Sequence, residues 1–122
     1  MEDDATPVFQ QLADKIADGI LAGTYPEGTA VPSMNELAVF YTINPITASK
    51  GINVLVEQGL LHKRRGVGMF VVDGAQQTLR EQRRAEFRER FTVPLLREAR
   101  LLGITTDELQ LMIDESDEEV HA

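Results

Sequence analysis

A chain of 122 residues has room for one compact domain and an appendage, not for two independent cores. Its 43% hydrophobic and 26% charged residues belong to a globular protein rather than a disordered chain. With no cysteine it can hold no disulfide framework, thiolate zinc site or cysteine nucleophile. The net charge of −8 argues against a polyanionic partner until the charges are placed along the chain. Residues 1–43 hold one lysine against seven acids, and residues 107–122 hold seven acids and no lysine or arginine. Between them, residues 44–75 carry four basic groups against two acids, and residues 76–106 carry seven arginines against four glutamates. Salt screens charges beyond about 10 Å, so a local basic surplus matters more to a polyanion than the total. DNA is therefore not excluded. No apolar run approaches the roughly 18 residues of a membrane span, and the acidic Met1-Glu2-Asp3-Asp4 is the opposite of a basic signal-peptide start. A cytoplasmic protein with no membrane partner is expected.

The first periodic segment runs from about Pro7 to Ala22, with Phe9, Leu12, Ile16 and Ile20 on one helical face and Thr6-Pro7 as N-cap and first helical residue. Gly23-Thr24-Tyr25-Pro26-Glu27-Gly28 is a dense turn signal that ends it and leads through Ala30-Val31 into Pro32. Ser33-Met34-Asn35-Glu36 reads as a capping box opening a short helix that buries Met34, Leu37, Ala38 and Tyr41. Asn44-Pro45 opens a third helix reaching about Gln58, with Gly59 as its terminator. Two short, separately capped helices about a tight turn form a helix-turn-helix signature. Leu60 to Arg65 and Met69 to Val72 flank Gly66-Val67-Gly68 and read as a β-hairpin, the wing of a winged helix.

From Gln76 the period is helical again, with Phe87, Phe91, Leu95, Ala99 and Leu102 in a stripe at steps of four and three. Pro94 should kink or divide this segment, because it lacks an N–H and crowds the carbonyl of Arg90. Gly103 ends it, and Thr105-Thr106-Asp107-Glu108 is a second capping box before a short helix through Leu109, Met112 and Ile113. The expected architecture is mainly α with one small β-hairpin. Residues 1–75 would form a winged helix-turn-helix, 76–115 a helical dimerisation segment, and 116–122 a disordered acidic tail.

Spacing divides the third helix into two faces. Ala48, Gly51, Ile52 and Leu55 fall at core positions, with Gly51 admitting a neighbouring helix closely. Asn44, Ile46, Thr47, Lys50 and Asn53 face outward, where the start of a recognition helix meets base edges in the major groove. Asn44 and Asn53 can donate and accept, Thr47 can bond any base, Lys50 suits guanine or phosphate, and Ile46 suits a thymine methyl. At the wing, Lys63, Arg64 and Arg65 stand beside Gly66 and Gly68, whose bare backbone can approach a phosphate. Strand alternation sends Lys63 and Arg65 to one face and Arg64 to the other. The stripe Phe87, Phe91, Leu95, Ala99 and Leu102, continued by Leu109 and Met112, exceeds what a winged helix with its own core can cover. A homodimer interface is the expected use, and two recognition helices would then read an inverted repeat.

Pro32-Ser33 with Glu36-Leu37-Ala38, Ile43-Asn44-Pro45 with Thr47, Leu55 with Glu57 and Gly59-Leu60, and Arg65-Gly66-Val67-Gly68-Met69-Phe70-Val71 together resemble the GntR family of bacterial winged-helix transcription regulators. The Asn44-Pro45 start and the tail Gly103-Ile104-Thr105 with Glu108-Leu109 resemble its YtrA subfamily. The resemblance implies an operator-binding repressor without a large effector domain, dimerising through its tail and often serving transporter operons. It adds Ser33 and Asn35, at the head of the second helix, to the DNA-binding set. Relatives often carry arginine at the positions of Asn35, Pro45 and Ser49, and usually glycine near Thr42. No cofactor and no metal site is expected, and a small-molecule effector is left unidentified. An enzyme is not expected: His62 and His121 have no nucleophile or ligand set at a recognisable spacing, and no glycine-rich phosphate loop opens a helix. The competing reading is a winged helix used as a protein-interaction or RNA-binding module.

Overall fold

The computed structural model describes residues 5–121; the acidic start at 1–4 and Ala122, the last residue of the expected tail, lie outside them. The chain divides into two compact units after Gln82. In the first unit, α1 (Val8–Ala22) buries Leu12, Ala13, Ile16, Ala17 and Ile20 along one face. The expected Thr6 cap is corrected. Pro7 is the N-cap residue, with ψ of 145° and no side-chain cap bond, so helical geometry begins one residue later than expected. The Pro7 carbonyl accepts from the Gln10 and Gln11 N–H groups, and the Thr6 carbonyl takes the Gln11 side-chain amide at 2.7 Å.

The capping box at α2 (Met34–Tyr41) is complete, with Glu36 N–H donating to Ser33 Oγ and Ser33 N–H donating to Glu36 Oε1, both at 3.1 Å. Leu37 and Ala38 are buried, and Met34 and Tyr41 pack at the edge of the core. Thr42 ends α2 in the left-handed region at φ 54°, alone among the described non-glycine residues. A β-branched side chain is disfavoured there, whereas glycine would adopt this backbone without that cost. Asn44 Oδ1 then accepts from Ile46 N–H at 2.8 Å and opens α3 (Pro45–Glu57), with proline in its first turn. A Cβ on Gly51 would lie 2.8 Å from the Phe9 carbonyl oxygen and 3.1 Å from Leu12 Cδ2, so the bare glycine is what lets α3 rest against α1.

The hairpin consists of β1 (Leu61–Arg64) and β2 (Gly68–Val71), antiparallel, with Leu61 opposite Val71 and Arg64 opposite Gly68. Its inner ends, Leu61 and Val71, enter the same core as Leu12, Ile52 and Leu55. The outer edge of β2 is also occupied. Gly28 N–H donates to Val71 O, Val71 N–H to Thr29 O, and Val31 N–H to Met69 O, with one bridge between Ala30 and Phe70. The sheet thus gains a rudimentary third strand that a plain helix, helix, helix, strand, strand order omits. The start of α4 (Ala75–Phe87) closes this core with Ala75 and Leu79.

In the second unit, a π-helical turn (Arg88–Thr92) leads into α5 (Val93–Leu101). Val93 N–H bonds the Arg88 carbonyl, five residues back. The widened turn accommodates Pro94, which sits in the first turn of α5, where a missing N–H costs least. α6 (Thr106–His121) opens with Glu108 N–H donating to Thr105 Oγ1 at 3.2 Å. It remains helical through His121, so the expectation of disorder from Ser116 onward is corrected. Asp107 and Glu108 complement the helix N-terminus, His121 stands in its last turn, and side-chain pairs Gln110–Asp114 and Asp117–His121 join successive turns.

Candidate nucleic-acid interface

The two faces of α3 separate as the spacing predicts. Ala48, Gly51, Ile52 and Leu55 are buried, Thr47 is half-buried, and Asn44, Ile46, Lys50 and Asn53 are exposed. Ile46 is 70% exposed, an apolar side chain standing in water. The cap qualifies the role of Asn44: its oxygen is occupied by Ile46 N–H, leaving the side-chain NH₂ to donate. Ser33 Oγ likewise accepts within the capping box, and its hydroxyl hydrogen stays free to donate. Asn35 is exposed in the first turn of α2.

At the wing, Arg64 and Lys63 belong to β1, while Arg65, Gly66 and Val67 form the turn, closed by Val67 N–H donating to the Arg64 carbonyl at 3.0 Å. Arg65 therefore lies beyond the strand, and the alternation that paired it with Lys63 does not reach it. Gly66 supplies the positive φ of 76° that the turn requires, and Gly68 adopts φ 138°. The Arg64 guanidinium lies 4.1 Å from the centroid of the Phe70 ring, a cation–π contact that sequence alternation alone did not anticipate. His62 is directly opposite Phe70, so His62, Arg64 and Phe70 share the face away from Leu61 and Val71. Among the described residues, none of Lys50, Lys63, Arg64 and Arg65 is held in an ion pair. The basic groups are available to an anion without first breaking an internal bridge.

The residues expected at a subunit interface fall into two groups. Phe87, Phe91, Leu95, Leu102 and Met112 are exposed, with the Phe87 and Phe91 rings 5.6 Å apart. Ala99 and Leu109 are buried within the unit, which corrects their placement on an outer face. A groove of about 350 Å³ runs among Leu95, Met112, Ile113 and Val120. Among the described residues, no three His, Asp or Glu side chains gather as a metal site, and no helix is long and apolar enough to cross a membrane.

Residues 9–71, the winged helix-turn-helix just described, match the family of bacterial regulatory proteins called the gntR family. The chain belongs to the GntR family. The HTH-type transcriptional repressor YtrA of Bacillus subtilis (strain 168) is 29% identical over 111 residues, covering 91% of this chain and 85% of that protein. A GntR family transcriptional regulator from Listeria monocytogenes superposes with a TM-score of 0.74 at 26% identity, covering 93% of this chain and 97% of its own. The AraR DNA-binding domain in complex with operator ORX1 is 33% identical with a TM-score of 0.54, covering 55% of this chain and 81% of its own. This GntR member is thus a YtrA-like, DNA-binding transcription regulator, and its relatives are regulators rather than enzymes.

Proposed function

We propose that this GntR protein is a repressor that binds an inverted-repeat operator as a homodimer. The observation that carries this reading is the outward face of α3, where Ile46, Lys50 and Asn53 stand exposed beside an unpaired basic wing. In the major groove, Lys50 would meet guanine O6 and N7 or a phosphate, Thr47 a base edge, and Ile46 a thymine methyl. Asn44, with its oxygen committed to the cap, would donate to an acceptor such as purine N7 or a phosphate oxygen. Ser33 and Asn35 would fix the register by phosphate contacts. Lys63, Arg64, Arg65 and the bare backbone at Gly66 and Gly68 would take a phosphate or enter the minor groove. Stacking on Phe70 limits the freedom of Arg64 and so reduces the entropy it loses on binding.

Phe87, Phe91, Leu95, Leu102 and Met112 would be covered by a second copy of the chain, which would set two recognition helices about 34 Å apart on successive turns of one DNA face. Occupying a promoter in this way requires no further protein contact, which favours repression.

Salt dependence of binding to the DNA upstream of its own gene tests the reading. Affinity should fall linearly in log salt, and replacing Lys63, Arg64 and Arg65 together should flatten the slope by about one unit for each phosphate they neutralise. An unchanged slope removes the wing from the interface. Replacing Lys50 or Ile46 should instead alter base-pair discrimination by about 1–3 kcal/mol. Equal weakening on every duplex would cancel the base-reading role.

A further inference from the structure

The connection from α1 to α2 and the outer side of α2 enclose a cavity of about 270 Å³, lined by Tyr25, Pro32, Glu36, Leu37, Phe40 and Tyr41. None of its lining residues belongs to α3 or to the hairpin. Three of the six lining residues are aromatic. The Tyr25 ring covers Gly19, where a Cβ would come within 2.5 Å of Cε2, and its backbone N–H donates to the Gly19 carbonyl at 3.1 Å. Phe40 and Tyr41 meet edge to face with centroids 4.9 Å apart. Phe40 is nevertheless 78% exposed, so its ring is left uncovered by the fold.

The one ionisable group in the lining besides the phenols is Glu36. Its Oε1 accepts from Ser33 N–H, which holds the carboxylate in place and leaves Oε2 without a role in the cap. Burial, followed by the neighbouring Tyr41, pushes the Tyr25 phenol above its ordinary value, so the ring is neutral at physiological pH. The lining contains no lysine or arginine. Electron-rich ring faces with a fixed carboxylate attract a cation and give an anion nothing to bind. Pockets for drug-sized ligands run from about 300 to 1,000 Å³, so the occupant must be smaller than these.

We propose that this cavity binds a small alkylammonium ion, of the size and charge of choline, between the Tyr25, Phe40 and Tyr41 rings and the Glu36 carboxylate. The site stands independently of the DNA-binding reading, and its test needs no DNA.

The chain has two tyrosines and no tryptophan, and both tyrosines line this cavity, so intrinsic tyrosine fluorescence reports on it alone. Choline chloride, titrated against sodium chloride at matched ionic strength, should give a saturable change in emission. Its uncharged isostere 3,3-dimethylbutan-1-ol should bind about tenfold or more weakly. Glu36→Gln retains the capping-box chemistry while removing the charge, and should weaken choline binding about tenfold with an unchanged far-ultraviolet circular dichroism spectrum. Phe40→Leu, at an exposed position, should also weaken it and serves if the Glu36 variant fails to fold. A flat titration, an equal response to choline and the neutral alcohol, or full affinity in the folded variants would overturn the assignment.

Discussion

The two units of the molecule are built from helices with similar apolar periodicity, yet they end in opposite states. In the first, the stripes of α1, α2 and α3 meet the hairpin and the start of α4 in one continuous core, with Leu12, Ile52 and Leu60 wholly buried. In the second, Ala99 and Leu109 are the buried apolar residues among those described, while Phe87, Phe91, Leu95, Leu102 and Met112 remain in solvent. A periodic stripe therefore predicts a helix but not its burial. Burial requires an opposing surface, and about 40 residues with two main helices enclose too little volume to supply one.

The largest effect is expected where that contrast turns into assembly. Phe91→Glu should give a monomer in sedimentation equilibrium and reduce operator affinity about 100-fold or more, because a single half-site loses the effective-concentration gain of the second. A dimer that persists would break the assignment of this face. Ile52→Ala, in the core of the first unit, should destabilise folding by about 2–5 kcal/mol in denaturant titrations. Because that core is complete within one chain, the loss should be the same at low and high protein concentration when the Phe91→Glu background is used. Gly51→Ala forces a methyl group against the Phe9 carbonyl, and should cost about 1–3 kcal/mol by the same measurement. Thr42→Gly relieves the left-handed backbone at the end of α2, and should raise stability by about 0.5–1 kcal/mol with no change in DNA binding.

Legibility in the sequence followed the reach of each interaction. The Ser33–Glu36 capping box, the Asn44 cap and the termination at Gly59 are made between residues a few positions apart, so their residue types announce them. The inward and outward faces of α3 are equally local, because helical geometry alone assigns them. The bridge from Ala30 to Phe70 joins residues forty positions apart, and nothing in Thr29-Ala30-Val31 distinguishes a strand edge from a loop. The stack of Arg64 on Phe70 requires the hairpin register, which places Gly68 opposite Arg64 and Phe70 two residues further along. The acidic run after Ser116 suggested a solvated coil by composition, whereas glutamate's helix propensity and bonds between successive turns carry α6 onward. At the candidate interface, the exposed side chains of α3 were readable. The aromatic cavity beside α2 was not, because it depends on where the backbone turns.

The interleaving on α3 has a bearing on how regulators of this kind diversify. Ala48, Gly51, Ile52 and Leu55 anchor the helix, while Ile46, Lys50 and Asn53 are exposed outside the core. Mutation can rewrite the outward alphabet one letter at a time without unfolding the scaffold. A duplicated copy could drift toward new target sites while its architecture stays still.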